Sequence, residues 1–396
     1  MTDVASLLPG AERFDGQGGA IATWVRETYS LSRYSTMVAS PRATEAFAYP
    51  VSYARVAPYD AYERCLRAGS RVLSRQIGKP LHVVYNRLLW DRFWVRSAFR
   101  HIGDARLIQI HNRPHYARLL REAGYRGRIM LHMHNDLRSY VNDAEAEMVF
   151  SHIDSIAFCS AFIMDRALEH FRDLPRTVAI PNGVSSTQID RFRESRTDAP
   201  LRLIYAGRIM PEKGPLEAVE VCVELRRRGI DARIDLVGGT GSGSDNSPTP
   251  YLAMVESAVR DLNETVGVEV ARLLGPRPHP EVFRLFEEGD LFVLPSAWEE
   301  PFGMVALEAM AKGCVPFVSA KGGLPEVVRD GGVVISNTSE SKTSVVSAFA
   351  DAVEEHLAPD ALDRLRLLGW DRASELTWER VAESADQEFE RELASL

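Results

Sequence analysis

The stretch LRLIYAGRIMPEKGPLEAVEVCVELRRR, residues 201–228, decides the fold. Leu201–Ala206 is an apolar run closed by Gly207, and from Leu216 to Arg228 apolar residues return at helical spacing, so a strand, a turn and a helix follow one another. The alternation continues downstream through strands at Ile234–Val237, Val268–Leu274, Leu291–Leu294 and Val315–Ser319, with a helix near Tyr251–Asn263. Upstream it predicts strands at Val4–Pro9, Ser35–Ala39, Arg106–His111, Arg128–His134, Ser155–Cys159 and Thr177–Pro181, among helices that include Gly19–Ser30 and Tyr62–Ile77. Short Val-, Ile- and Leu-rich runs between amphipathic segments are the pattern of parallel sheets covered by helices, a doubly wound α/β class. The pattern lapses into polar residues between Ser185 and Pro200, and 396 residues are too many for one ordinary core. Two domains follow, at 1–185 and 201–369, joined by a linker at 186–200. The last stretch, Trp370–Leu396, is helical in pattern, with Trp378, Val381, Phe389 and Leu393 apolar.

Composition narrows the class. With 45% hydrophobic and 26% charged residues the chain is neither disordered nor fibrous. No apolar run reaches the ~18–20 residues of a membrane helix and no secretory leader is visible, so a cytoplasmic protein is expected. Cys65, Cys159, Cys222 and Cys314 are scattered, without metal-finger spacing, and read as free thiols of a reducing compartment. Residues 1–195 hold 26 Lys and Arg against 20 Asp and Glu, whereas the remainder holds 21 against 35. The acidic half is no nucleic-acid binder. In the basic half Arg64, Arg67, Arg71 and Arg75 share one helical face and Arg92, Arg96 and Arg100 another, open either to an anionic surface or to plain solvation.

Chemistry in a doubly wound sheet sits just beyond the carboxyl ends of its strands. Three loops of the second half stand there. Gly207–Gly214 places Arg208 and Lys213 in a turn before a helix, where they suit a diphosphate or surface salt bridges, without the spacing of a nucleoside-triphosphate loop. After Leu291–Leu294 comes SAWEEPFGMVALEAMA, residues 296–311. Pro301 can open a helix there, which would turn the amides of Phe302, Gly303 and Met304 toward an anion. Glu300 and Glu308 suit sugar hydroxyls, or are ordinary acids at a helix start. Gly322-Gly323, after Val315–Ser319, allows a backbone approach to a ligand or makes a simple turn. The Gly- and Ser-rich Gly238–Thr249 reads as a mobile loop, its glycine spacing wrong for a dinucleotide fingerprint.

The ordered set GRIMPEKG, EEPFGMVALEAMAKG and GGLPEVV resembles family 4 of the retaining GT-B glycosyltransferases, which includes bacterial polysaccharide, lipopolysaccharide and spore-coat sugar transferases. The resemblance is strong over the second domain and weak over the first. It implies two Rossmann-like domains facing across a cleft, and a sugar moved with retention from a nucleoside-diphosphate sugar to a hydroxyl of a saccharide, lipid-linked or small-molecule acceptor. By resemblance Arg208, Lys213 and the Phe302–Met304 amides hold the diphosphate, Glu300 the transferred sugar and Glu308 the ribose, with the base near Leu274–His279. Gly16–Gly19 resembles the family's N-terminal glycine loop, so Gly18 and Gly19 would approach donor and acceptor, although AERFD at 11–15 lengthens the approach. His134 matches the active-site histidine, and His111 and Asn112 are acceptor-side candidates. The C-terminal helix would pack back on the first domain, though an ordinary capping helix fits the sequence as well.

Six of the ten histidines fall between His82 and His134. His132 and His134 alternate on a strand and share a face, as metal ligands do, but no acidic or thiol ligand stands close by and the family implies none, so neither a metal nor another cofactor is expected. His132 equally suits a packed or hydrogen-bonded core position. A noncatalytic sugar-nucleotide-binding or assembly subunit and a GT-B epimerase remain as alternatives, and peripheral contact with an anionic membrane is open.

Overall fold

A computed structural model describes residues 2–10, 12, 14, 19–40, 52–55, 90–189, 200–241, 246–336 and 341–396. The expected helix Tyr62–Ile77 with its arginine face, Gly16 to Gly18, Cys65, His82 and most of the linker lie outside these residues. The chain divides into two compact units, Met1–Pro181 with Val381–Leu396, and Asn182–Arg380.

The first unit has β1 (Val4–Leu7), α1 (Ala20–Leu31), β2 (Thr36–Ser40), β3 (Ser52–Arg55), α2 (Asp91–Ile102), β4 (Leu107–His111), α3 (His115–Glu122), β5 (Arg128–Met133), α4 (Asp143–Phe150), β6 (Ser155–Phe158), α5 (Ala161–His170) and β7 (Arg176–Ala179). The seven strands pair in parallel in the order β3-β2-β1-β4-β5-β6-β7, which reverses direction between β1 and β4. The inner strands β1, β4, β5 and β6 are buried on both faces, which is why they read as continuous apolar runs. β3 was not expected. Its sequence, SYAR, carries no apolar run, and it lies at the sheet edge.

The second unit repeats the plan with β8 (Leu201–Ala206), α6 (Pro215–Arg227), β9 (Ala232–Val237), α7 (Pro250–Val266), β10 (Ala271–Gly275), α8 (His279–Glu288), β11 (Leu291–Leu294), α9 (Met304–Ala311), β12 (Val315–Ser319), α10 (Leu324–Val328), β13 (Val333–Ile335), α11 (Lys342–Glu355) and α12 (Pro359–Glu375). Its six strands are parallel in the order β10-β9-β8-β11-β12-β13, reversing between β8 and β11. Leu203, Tyr205, Leu236, Phe286, Phe292, Phe317 and Phe349 form the centre of its core.

The expected single helix over 370–396 is two helices. α12 ends at Glu375 and α13 (Trp378–Ala394) begins after Leu376-Thr377. The break has a partner, because Val184 N donates to the Leu376 carbonyl at 2.9 Å and Trp378 N to the Val184 carbonyl at 3.0 Å. Both bonds lie within the second unit, which begins at Asn182. From Val381 onward α13 belongs to the first unit, where Arg128 and Arg176 pair with Glu392, Arg176 also with Glu388, and Asp386 accepts from Ser32 Oγ and Arg33 N. Cys159, Cys222 and Cys314 are buried.

Candidate active site

The loop after β8 is held from below. Tyr205 is fully buried, and its hydroxyl donates to the Arg208 carbonyl at 2.9 Å. Burial holds the phenol proton on, well above the ordinary range, so this brace stays neutral. Gly238, at φ 148°, lies so close that a Cβ would stand 1.8 Å from the Gly207 carbonyl, and Ile209 N donates to the Gly239 carbonyl at 2.9 Å. The glycine stretch after β9 thus serves loop packing, as far as 238 and 239 are concerned. Arg208 is exposed, and no ion pair engages it among the described residues.

The second loop is laced to the first. The Glu212 carbonyl accepts from Ala297 N at 2.9 Å, Trp298 N at 3.0 Å and Ser296 Oγ at 3.2 Å. Gly214, at φ 73°, brings the chain to where a Cβ would stand 2.2 Å from the Pro295 carbonyl. Lys213 and Glu300 consequently meet as an ion pair, each side chain 12% exposed. Gly322-Gly323 closes the set. Gly323 N donates to the Glu300 carbonyl at 2.7 Å and Gly322 N to Glu299 Oε2 at 3.0 Å. A Cβ at Gly322, φ 64°, would stand 2.2 Å from the Glu300 carbonyl. The close approach these glycines permit is to the Glu300 loop, which replaces the expectation of an approach to a ligand.

The helix expected from Pro301 begins at Met304, because Gly303 at φ 105° interrupts the helical backbone and stands at its N-cap without a side-chain cap. Phe302 is buried. The amides of Phe302, Gly303 and Met304 find no acceptor among the described residues, and free amides at a helix N-terminus attract anions. On the second turn Glu308 is buried, with Oε1 2.9 Å from Nε2 of the exposed His279. His279 opens α8 at the end of Leu274–His279, and only that position signalled it.

In the first unit Gly19 caps α1, but its amide donates to Glu12 Oε1 at 3.0 Å. Glu12 belongs to the lengthened AERFD approach. Burial raises its pKa, against the pull of the Gly19 and Ala22 amides and of Arg113. The Gly19 amide expected to face substrate is therefore occupied by a carboxylate of the chain, and Gly18 lies outside the described residues.

His134 stands just beyond β5. Its main-chain N donates to Asn112 Oδ1 at 2.7 Å, and Asn112 adopts φ 50° beyond β4 to make that bond. His111, read from the sequence as an acceptor-side candidate and not as a neighbour of His132 and His134, is the third ring. Cross-strand pairing sets it opposite His132, and one nitrogen of each of His111, His132 and His134 lies within 4.8 Å of the others. His111 Nε2 is 3.1 Å from Ser6 Oγ and its Nδ1 is 3.1 Å from His134 Nε2. Burial lowers all three pKa values, that of His134 to about 3, with the neighbouring imidazoles adding to the effect at His111 and His132. All three rings are neutral near pH 7. His111 and Asn112 are buried, His111 with both ring nitrogens engaged by Ser6 and His134 and Asn112 with its Oδ1 engaged by the His134 amide.

The three loops of the second unit lie within the stretch that a family profile matches. The profile described as Glycosyl transferases group 1 covers residues 186–364. Over 294 residues, 72% of this chain and 72% of the relative, the chain is 26% identical to lipopolysaccharide 1,2-N-acetylglucosaminetransferase of Salmonella typhimurium. It is 30% identical over 229 residues to D-inositol 3-phosphate glycosyltransferase of Corynebacterium aurimucosum, spanning about half of that relative's length, 51%. An alpha,alpha-trehalose-phosphate synthase from Burkholderia xenovorans, solved with glucose-6-phosphate, aligns at a TM-score of 0.74 with 13% identity over 98% of this chain and 100% of that one, a likeness of fold. Residues 186–364 thus carry the group 1 glycosyltransferase profile, with its loops at the switch point of a Rossmann-like unit, and the chain as a whole has the GT-B fold of its solved neighbours.

Proposed function

We propose that the protein transfers a hexose-type sugar, with retention, from a nucleoside-diphosphate sugar to an acceptor hydroxyl, without a metal or other cofactor. The carrying observation is the single braced assembly after β8, β11 and β12, which presents an exposed Arg208, the Lys213–Glu300 pair and three free amides together. In this reading the anomeric carbon loses its bond to the diphosphate oxygen and gains one to the acceptor oxygen, whose proton passes to the departing diphosphate. Arg208, Lys213 and the Phe302–Met304 amides offset the charge growing on the leaving group. Glu300 accepts from hydroxyls of the transferred sugar, Glu308 from the ribose, and His134 lies beside the reacting sugar. The base falls after β10, near Leu274–His279. Release of nucleoside diphosphate from UDP-, GDP-, dTDP- and ADP-sugars should occur with one donor and vanish in Lys213→Ala and Glu300→Gln. No release from any donor in the presence of membrane acceptors would contradict the reading. An NMR assignment of the opposite anomer in the product would remove retention.

The acceptor is a saccharide, lipid-linked or small molecule at the inner face of the cell membrane, within the cytoplasm. Support comes from α2, whose Arg92, Arg96 and Arg100 are exposed together with Phe93. No helix among the described residues is long and apolar enough to cross a membrane. Failure to sediment with anionic vesicles at low salt would count against peripheral binding.

A further inference from the structure

The histidine cluster has a direction that the transfer reading does not use. Tyr29, on α1, donates its only proton to Gln109 Oε1 at 2.9 Å, and the Gln109 amide donates to His132 Nδ1 at 3.3 Å. The Tyr29 oxygen is thereby left as an acceptor beside the Ser6 hydroxyl. A Ser6 hydroxyl that donates to Tyr29 accepts from His111 Nε2–H. A neutral His111 protonated on Nε2 has a bare Nδ1, which can only accept from Nε2–H of His134, 3.1 Å away. His134 Nδ1 is then a lone pair, and that atom is buried without a partner. The opposite direction would add a second buried, unpaired N–H to the cluster, beside His132 Nε2, which carries its ring's proton because Nδ1 accepts from Gln109. Trp24 fixes the rings from the side, T-shaped to His132 at 4.4 Å and to His134 at 6.2 Å, with its own Nε1 donating to the Pro181 carbonyl.

We propose that His111, backed by Ser6, is a positioning residue that holds His134 as a single neutral tautomer, protonated on Nε2 and bare on Nδ1. The functional half of this inference rests on the reading that His134 lies beside the reacting sugar. A fixed, uncharged ring suits that place, because an imidazolium would oppose the positive charge that develops on the sugar.

The test combines a signal from the ring with turnover. In full-length protein labelled with 15N-histidine, long-range nitrogen–proton correlations should show His134 protonated at Nε2 alone. His111→Asn keeps an acceptor oxygen near the Nδ1 position, whereas His111→Leu removes it. The Leu variant should mix the His134 tautomers and lower kcat roughly tenfold at unchanged donor KM, the rate equivalent of one lost hydrogen bond. The Asn variant should restore most of both signals. Ser6→Ala, a smaller change, should move them in the same direction if His111→Leu folds poorly. Equal loss in the Asn and Leu variants with an unchanged His134 pattern would overturn the proposal in favour of plain packing. One equivalent of zinc in the purified protein, whose removal changes the histidine signals, would overturn it in favour of coordination. A single tautomer together with full turnover by His134→Ala would leave the hydrogen-bond direction standing and remove the active-site reading beneath it.

Discussion

The two sheets share a strand order and treat their switch points in opposite ways. In the second unit the ends of β8 and β11 carry charge near the surface, Arg208 exposed and Lys213 against Glu300, with loops pressed together through Gly214, Gly238 and Gly322. In the first unit β1, β4 and β5 carry Ser6, Gln109, His111 and His132 inside the sheet, all fully buried, with His134 just beyond. One unit keeps charge where a charged ligand can reach it, and glycine is the means. The other keeps neutral polar groups in a dry core, where hydrogen bonds must satisfy them.

Breaking the charged side should have the largest effect. Lys213→Ala or Glu300→Gln is expected to lower kcat about 10²–10³-fold, the usual loss on removing one group that stabilises developing charge, with the fold intact by circular dichroism. Next comes the brace. Gly322→Ala sets a Cβ against the Glu300 carbonyl in a left-handed backbone, and we expect it to cost on the order of 2–3 kcal/mol in urea unfolding and to impair turnover. A variant as stable and active as the wild type would show that the third motif is not a brace.

How far such contrasts were legible follows from distance along the chain. The runs Leu201–Ala206, Leu291–Leu294 and Val315–Ser319 coincide with β8, β11 and β12, because each is a buried apolar strand ending at a polar, glycine-bearing loop. The loops Gly207–Gly214 and Glu300–Glu308 carry their chemistry within a few residues, so types and spacing point to anions and hydroxyls before any fold is known. What spacing could not give is which loop presses on which, and hence that Gly322 serves Glu300 or that α9 waits for Met304. The histidine cluster was hidden for the same reason. His111 and His134 are 23 positions apart and meet only through the parallel register of β4 and β5. β3 escaped because an edge strand needs no apolar signature.

The buried side responds to pH. The three imidazoles have folded pKa values below the ordinary 6.5, so the unfolded chain binds more protons below that value. Stability is full above about pH 6.5 and falls below it, for His134 down to about pH 3, by up to about 1.4 kcal/mol per pH unit for each histidine. Urea titrations followed by tryptophan fluorescence at pH 7.5, 6 and 5 should show the slope, and His111→Asn should flatten it. The smallest effect belongs to the surface. Arg227→Ala, which removes an exposed pairing with Glu224, should leave the urea midpoint unchanged, and a lowered midpoint would mean that the charged surface of α6 carries more of the fold than its exposure implies.

Calorimetric titration of UDP, GDP, dTDP and ADP into the wild type, Lys213→Ala and His134→Ala tests the central claim most directly, that the glycine-braced loops of the second unit hold the donor diphosphate. One nucleotide should bind the wild type and His134→Ala alike and bind Lys213→Ala about tenfold or more weakly. Equal binding to all three proteins, or loss in His134→Ala alone, would contradict it.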